Sequence, residues 1–115
     1  MYYTYMIRCE DNSIYTGSTS DLERRMKEHF AQADKGAKYT KRHKIQKLEI
    51  AWSCLNYNDA LKLEYHIKKK LNKSQKESII QNYRLLNTLL TIDTSLYKKV
   101  PKTQMERINK TISNK

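Results

Sequence analysis

Five side chains in the first two thirds of the chain could together handle a phosphate ester: Tyr5, Tyr15, Arg25, His29 and Glu64. Hydrolysing a phosphodiester needs positive charge on the phosphate oxygens, a positioned water and a proton acceptor. Arg25 offers a planar, permanently charged fork that matches a phosphate. His29 falls four residues later, so on a helix the two share one face. Near neutral pH an imidazole can donate to a phosphate or take up a proton. Glu64 is a hard oxygen ligand of the kind that Mg²⁺ accepts, an ion that keeps most of its waters and takes only one or two carboxylates. A carboxylate opposes phosphate binding unless a cation bridges the two. A tyrosine, with an ordinary pKa of about 10, is a poor base until a neighbouring cation lowers it, and a metal ion with Arg25 could do so. Taken one at a time these residues have plainer readings: strand aromatics, a solvated arginine, a surface histidine, and a Glu64–Lys68 pair at i,i+4.

The elements that would position them can be read from pattern. Residues 2–9, YYTYMIRC, are bulky and aromatic and read as a strand. Asp11-Asn12 marks a turn, and residues 14–17, IYTG, read as the returning strand. Asp21 is a good N-cap, with Leu22, Met26 and Phe30 at helical spacing, which predicts a helix over 21–33. A basic run, 38–44, carries Tyr39 within it. Residues 48–55, LEIAWSCL, predict a third strand, and Asn58 or Asp59 opens a second helix bearing Glu64. Ser74 with Glu77 three residues on suggests a capping box for a third helix. After residue 90 the composition changes. Pro101 there could open a short amphipathic helix with Met105, Ile108 and Ile112 on one side. The sum is an α+β domain with a small antiparallel three-stranded sheet flanked by helices.

One geometric condition follows. Opposed residues of an antiparallel pair have a constant index sum. For Tyr5 and Tyr15 to share a face that sum must be even, which requires an odd number of loop residues. A three-residue loop at 11–13, with Glu10 opposite Ile14, satisfies this. A regular two-residue turn at Asp11-Asn12 would put the tyrosines on opposite faces.

The order YTY at 3–5, nine residues, then YTG at 15–17 resembles the paired signature of the GIY-YIG nuclease family. DLERRMKEH at 21–29 resembles that family's first helix, with Arg25 at its arginine. ALKLEYHIKK at 60–69 resembles the helix carrying its acidic residue, here Glu64. GAKYTKR at 36–42 looks like the small single-domain bacterial subgroup. The resemblance spans about residues 2–80. It implies a metal-dependent endonuclease acting on DNA, with Mg²⁺ (Mn²⁺ able to substitute) on Glu64 and ends carrying 5′-phosphate and 3′-hydroxyl. By analogy it implies a repair or recombination setting. It also implies a tyrosine as base without settling which, and Tyr5 is taken as base with Tyr15 positioning water or phosphate. Tyr3 and Thr4 replace the signature's glycine and isoleucine, and Ser18 stands where some relatives place a lysine. Asn72 and Asn87 are candidates for a late asparagine that steadies the site.

Composition sets the remaining bounds. The chain has 115 residues and suits one core. The reading divides it into a nuclease-like domain over 1–90 and a basic tail or short helix over 91–115. The net charge of +11 makes phosphate the natural partner. Lys38, Tyr39, Lys41, Arg42 and Lys44 form the candidate nucleic-acid surface, whether for single-stranded, branched or duplex DNA. A protein partner could supply specificity. The rival reading is a non-catalytic nucleic-acid-binding module or adaptor on the same fold. Cys9 and Cys54 read as small buried hydrophobes rather than a zinc or disulfide framework. No apolar run reaches the roughly 20 residues of a membrane span, so the default expectation is a cytoplasmic protein without membrane contact.

Overall fold

The computed structural model describes residues 1–31 and 44–113. A hairpin, β1 (Tyr2–Cys9) and β2 (Ile14–Thr19), leads into helix α1 (Leu22–Ala31). Strand β3 (Ile45–Cys54) follows, then helices α2 (Tyr57–Lys70), α3 (Lys73–Gln81) and the single turn α4 (Leu86–Leu89). A two-residue strand β4 (Lys98–Lys99) and helix α5 (Lys102–Ser113) complete the order. The sheet is antiparallel in the order β2-β1-β3-β4, four strands rather than the expected three. The added strand pairs Lys99 with Trp52 and Lys98 with Ser53. Two residues are too short for any alternation to show in sequence.

The hairpin loop is Glu10–Asn12, one residue earlier than expected. Asn12 donates its amide to the Cys9 carbonyl and Cys9 donates its own to Ser13, at 2.9 Å each. Asn12 has φ of 71°, the left-handed residue that closes a three-residue loop after a type I turn. Asparagine tolerates that conformation better than most side chains. The parity condition is met: the register sums to 22, as in Tyr5↔Gly17 and Ile7↔Tyr15, so Tyr5 and Tyr15 lie on one face.

Central strand β1 is buried on both faces, and two core layers form. On one face Met6, Ile50 and Trp52 pack against Ala60, Leu63 and Ile67 of α2 and Ile79 of α3. On the other, Tyr5, Ile7, Leu48 and Ala51 pack against Leu22 and Met26 of α1 and Met105, Ile108 and Ile112 of α5. A bulge in β3 explains the parity there. The partner of Met6 is Ile50 and that of Ile7 is Leu48, leaving Glu49 as the extra residue. The bulge turns Glu49 toward Arg8, whose Nε donates to it at 2.9 Å. Arg8 also grips Glu77 of α3 through both terminal nitrogens. Glu77 is therefore not a capping residue. The box at the start of α3 is Asn72 with Gln75, bonded both ways at 2.8 and 2.9 Å. Asn56, not Asn58 or Asp59, caps α2 by accepting the Asn58 amide. Both cysteines are buried and unbridged.

Helix α5 lies where the Pro101 pattern put a short helix, and its apolar side belongs to the same core as Tyr5. Asn109 ties it down: its Oδ1 accepts the Leu48 amide at 2.7 Å and its Nδ2 donates to the Leu48 carbonyl at 3.0 Å. The side chain thereby stands in for a neighbouring strand.

Candidate active site

Tyr5 sits in the middle of β1 with only 1% of its surface exposed. Directly across the ladder is Gly17, and the reason for glycine is steric. A Cβ there would stand 2.5 Å from the Tyr5 hydroxyl oxygen, 2.7 Å from Cζ and 3.0 Å from Tyr15 Cε2. The Tyr5 ring therefore lies over Gly17 on edge strand β2, bringing its hydroxyl toward that edge. There it meets His29 of α1, Oη to Nε2 2.8 Å. Arg25, one turn earlier on α1, bonds to the same hydroxyl. The phenol donates to Nε2 when the neutral imidazole carries its proton on Nδ1, and accepts from Nε2 in the other tautomer.

The three rings form a triangle. Tyr5 and Tyr15 centroids are 6.4 Å apart, and His29 lies 5.8 Å from the first and 5.6 Å from the second, edge-on to both. His29 is fully buried. Burial, and after it the charge of Arg25, hold its pKa down at about 4, so it is neutral near pH 7. Enclosed in this way, the ring faces the two tyrosines. Burial also pushes the Tyr5 phenol well above its ordinary value, and Tyr15 adds to the rise while the Arg25 hydrogen bond opposes it. Tyr5 is thus a poor acceptor for a proton from water. Tyr15 is only half-buried on the edge strand.

Glu64 enters from the opposite face of the sheet. Helix α2 is pinned to the hairpin because the hydroxyls of Thr4 and Ser18 both donate to the Ala60 carbonyl, at 2.7 and 3.2 Å. One turn later comes Glu64, close enough to Tyr5 for its charge to act on that phenol. One turn later again comes Lys68, 2.8 Å from Glu64 Oε2 and with its ammonium 5.2 Å from the centre of the Tyr15 ring. The plain i,i+4 reading of Glu64 with Lys68 is therefore correct as geometry, and the pair also faces Tyr15.

The sequence offered Lys68 only as the i,i+4 partner of Glu64, not as a neighbour of Tyr15. Ser18, the position where some relatives carry a lysine, bonds to the Ala60 carbonyl. A lysine one turn after the acidic residue was the available signal. Arg25 pairs with Glu28 at 2.9 Å, and Arg24 takes the other oxygen of that carboxylate at 3.1 Å. Four elements, β1, β2, α1 and α2, thus deliver Tyr5, Tyr15, Arg25, His29 and Glu64 to one edge of the sheet. Asn72 is occupied as the α3 cap, and Asn87 bonds to Thr94. Lys38, Tyr39, Lys41 and Arg42 lie outside the described residues, and Lys44 is exposed just before β3.

Among the described residues no three His, Cys, Asp or Glu converge as a metal shell. The donor set suits an ion that takes one carboxylate, Glu64, and fills its other positions with water and substrate oxygen.

A family model described as the GIY-YIG catalytic domain matches residues 1–78. The chain belongs to the GIY-YIG family. That family is one of nucleases, and its domain here runs from β1 into α3, so α5 lies outside the matched span. Similar chains include a UPF0213 protein of Fusobacterium nucleatum, 51% identical over 79 residues, which are 69% of this chain and 76% of that one. The UPF0213 protein YsiG of Lactococcus lactis is 43% identical over 81 residues, 70% and 76% of the two chains. A solution NMR structure of a UPF0213 protein from Bacillus halodurans is similar at 33% identity with a TM-score of 0.43. It spans 80% of this chain and all of that one. No helix among the described residues is long and apolar enough to cross a membrane.

Proposed function

We propose that the protein is a divalent-metal-dependent endonuclease that hydrolyses phosphodiester bonds of DNA. The observation that carries this reading is the meeting, at the β2 edge, of a buried tyrosine–histidine pair, a second more open tyrosine, an arginine and one carboxylate. A protein that only bound nucleic acid would need positive charge but would gain nothing from Glu64 beside it.

In this reading Arg25 bonds the phosphate oxygens and offsets the charge that gathers on them. Glu64 would hold a Mg²⁺ or Mn²⁺ ion, which would supply further positive charge to the phosphate and to a nearby water. The Tyr15 oxygen, rather than that of Tyr5, takes the proton of the attacking water as its own hydroxyl proton passes to solvent, since Tyr5 is enclosed and engaged with His29. Water oxygen bonds to phosphorus, the bond from phosphorus to the 3′ oxygen breaks, and that oxygen is protonated from solvent. Ends with 5′-phosphate and 3′-hydroxyl result. Tyr5 and His29 fix the position of Arg25 and of the Tyr15 ring. Lys68 lies over Tyr15, where its charge offsets the negative charge of the step.

The test is cleavage of labelled single-stranded, duplex and branched DNA by wild type and Glu64→Ala, with Mg²⁺, Mn²⁺ or EDTA. We expect cutting that requires metal and that Glu64→Ala reduces by at least about a thousandfold. Equal cutting by the variant, or binding of all three DNAs by wild type without any cutting, would overturn the proposal.

A further inference from the structure

A cleft of about 360 Å³ opens beside the catalytic cluster and shares Arg25 with it. Two aromatic rings, Tyr2 and Tyr57, line it together with Arg24, Arg25 and the two serines Ser18 and Ser20. None of the residues lining it is acidic. The rings are 5.2 Å apart and tilted by 44°, and Tyr57 keeps 44% of its surface exposed at the first turn of α2. The side chain of Arg24 pairs with Glu28 at 3.1 Å and with Asp21 at 3.8 Å.

An open phenol ring beside two guanidinium groups is complementary to one kind of ligand above others, a base attached to a phosphate. A ring face stacks on any base, and the arginines take the phosphate. Bases inside a duplex are already stacked on one another and cannot also lie on Tyr57, so the ligand must be unpaired. The plain alternative is that Tyr2 and Tyr57 merely cover the start of α2. That role would account for the contact between the rings but not for the arginines and hydroxyls gathered around them.

We propose that this cleft binds an unpaired nucleotide adjoining the scissile phosphate, its base on Tyr57 and its phosphate toward Arg24. The position of the scissile phosphate rests on the nuclease reading above. The nucleotide site itself does not. It gives the enzyme a substrate class: single-stranded stretches or the splayed end of a branch, rather than uninterrupted duplex.

Binding is measured in EDTA, so that no cutting is read and failure of the nuclease reading stays separate. The probes are a short labelled oligothymidylate and a blunt duplex of equal length. Wild type is compared with Tyr57→Ala and Tyr57→Phe, each checked for folding by circular dichroism. We expect Tyr57→Ala to weaken single-strand binding about tenfold, Tyr57→Phe to stay within about twofold of wild type, and duplex binding to be unchanged in both. Tyr57→Ala binding the single strand like wild type would sink the proposal. So would an equal loss on both probes, or a wild type that does not bind the single strand. If Tyr57→Ala does not fold, Tyr57→Leu replaces it: apolar cover is kept and stacking is lost, so undiminished binding there refutes the site.

Discussion

At the scale of single residues, Gly17 and His29 give separable expectations. Gly17 is required by neither a turn nor a positive φ but by the Tyr5 ring lying where a Cβ would go. Gly17→Ala must push that ring aside, and with it the bond to His29. We expect a loss of about 1–3 kcal/mol in a denaturant titration, of the size seen when a packed core is overfilled. Any cleavage activity should fall further than that stability loss explains. His29 makes a prediction in pH. Its folded pKa of about 4 lies below the ordinary 6.5 of the unfolded chain. The unfolded state therefore binds more protons between those values. The contribution of the neutral, buried ring is complete above pH 6.5 and is lost as pH falls toward 4. The full difference amounts to roughly 3 kcal/mol. Stability measured at pH 7 and pH 4.5 should fall more steeply in wild type than in His29→Gln, and parallel slopes would show that His29 does not titrate in this way. The pairing of Tyr5 with Tyr15 was legible in the sequence because it depends only on parity and spacing. The enclosure of Tyr5 was not, because α5, which packs from far along the chain, helps α1 to create it.

At the scale of elements, the parts recognisable from sequence are those whose signal is local. Strand β1 has its run of bulky residues, α1 its Asp21 cap, whose Oδ1 accepts the Arg24 amide at 3.1 Å, and α2 its apolar stripe. What escaped is set by partners. The Asn72–Gln75 box competed with the equally good pattern Ser74-x-x-Glu77, and Arg8 decided the matter by drawing Glu77 across to β1. Strand β4 exists because β3 offers it an edge. Helix α5 was readable as amphipathic, but nothing local said which surface it covers. Its buried residues pack with Tyr5 and Ile7, so it completes the floor beneath the candidate site. Ile108 is nearly fully enclosed there. Ile108→Ala should cost about 2–5 kcal/mol, as for other large-to-small changes in a close-packed core. Asn109→Leu leaves both backbone groups of Leu48 without that partner and should cost about 1–3 kcal/mol. Thermal or urea unfolding checks both. If neither variant shifts the midpoint, α5 does not share the cooperative unit that holds the site.

At the scale of the whole molecule, charge and site make different demands on a nucleic acid. The chain carries 23 Lys and Arg against 12 Asp and Glu. Yet the proposed chemistry uses only Arg25 and Lys68 among those cations, and the nucleotide cleft adds Arg24. The remaining excess has no part in bond breaking. Its physical effect is to draw in phosphate and release counterions, a contribution that depends on salt, whereas stacking on Tyr57 does not. The two can therefore be separated by titrating salt. If about four phosphates are neutralised on a single strand, log K should fall with log salt at a slope near −3. That is roughly a fiftyfold to hundredfold loss between 50 and 200 mM. Tyr57→Ala should lower the whole line by a constant amount without changing its slope, since it removes no charge. Arg24→Gln should make the slope shallower by about 0.7, the share of one phosphate contact. A slope near zero for wild type would mean that the net charge of +11 is not directed at nucleic acid. The basic balance would then need another anionic partner, even if the edge of the sheet cuts DNA.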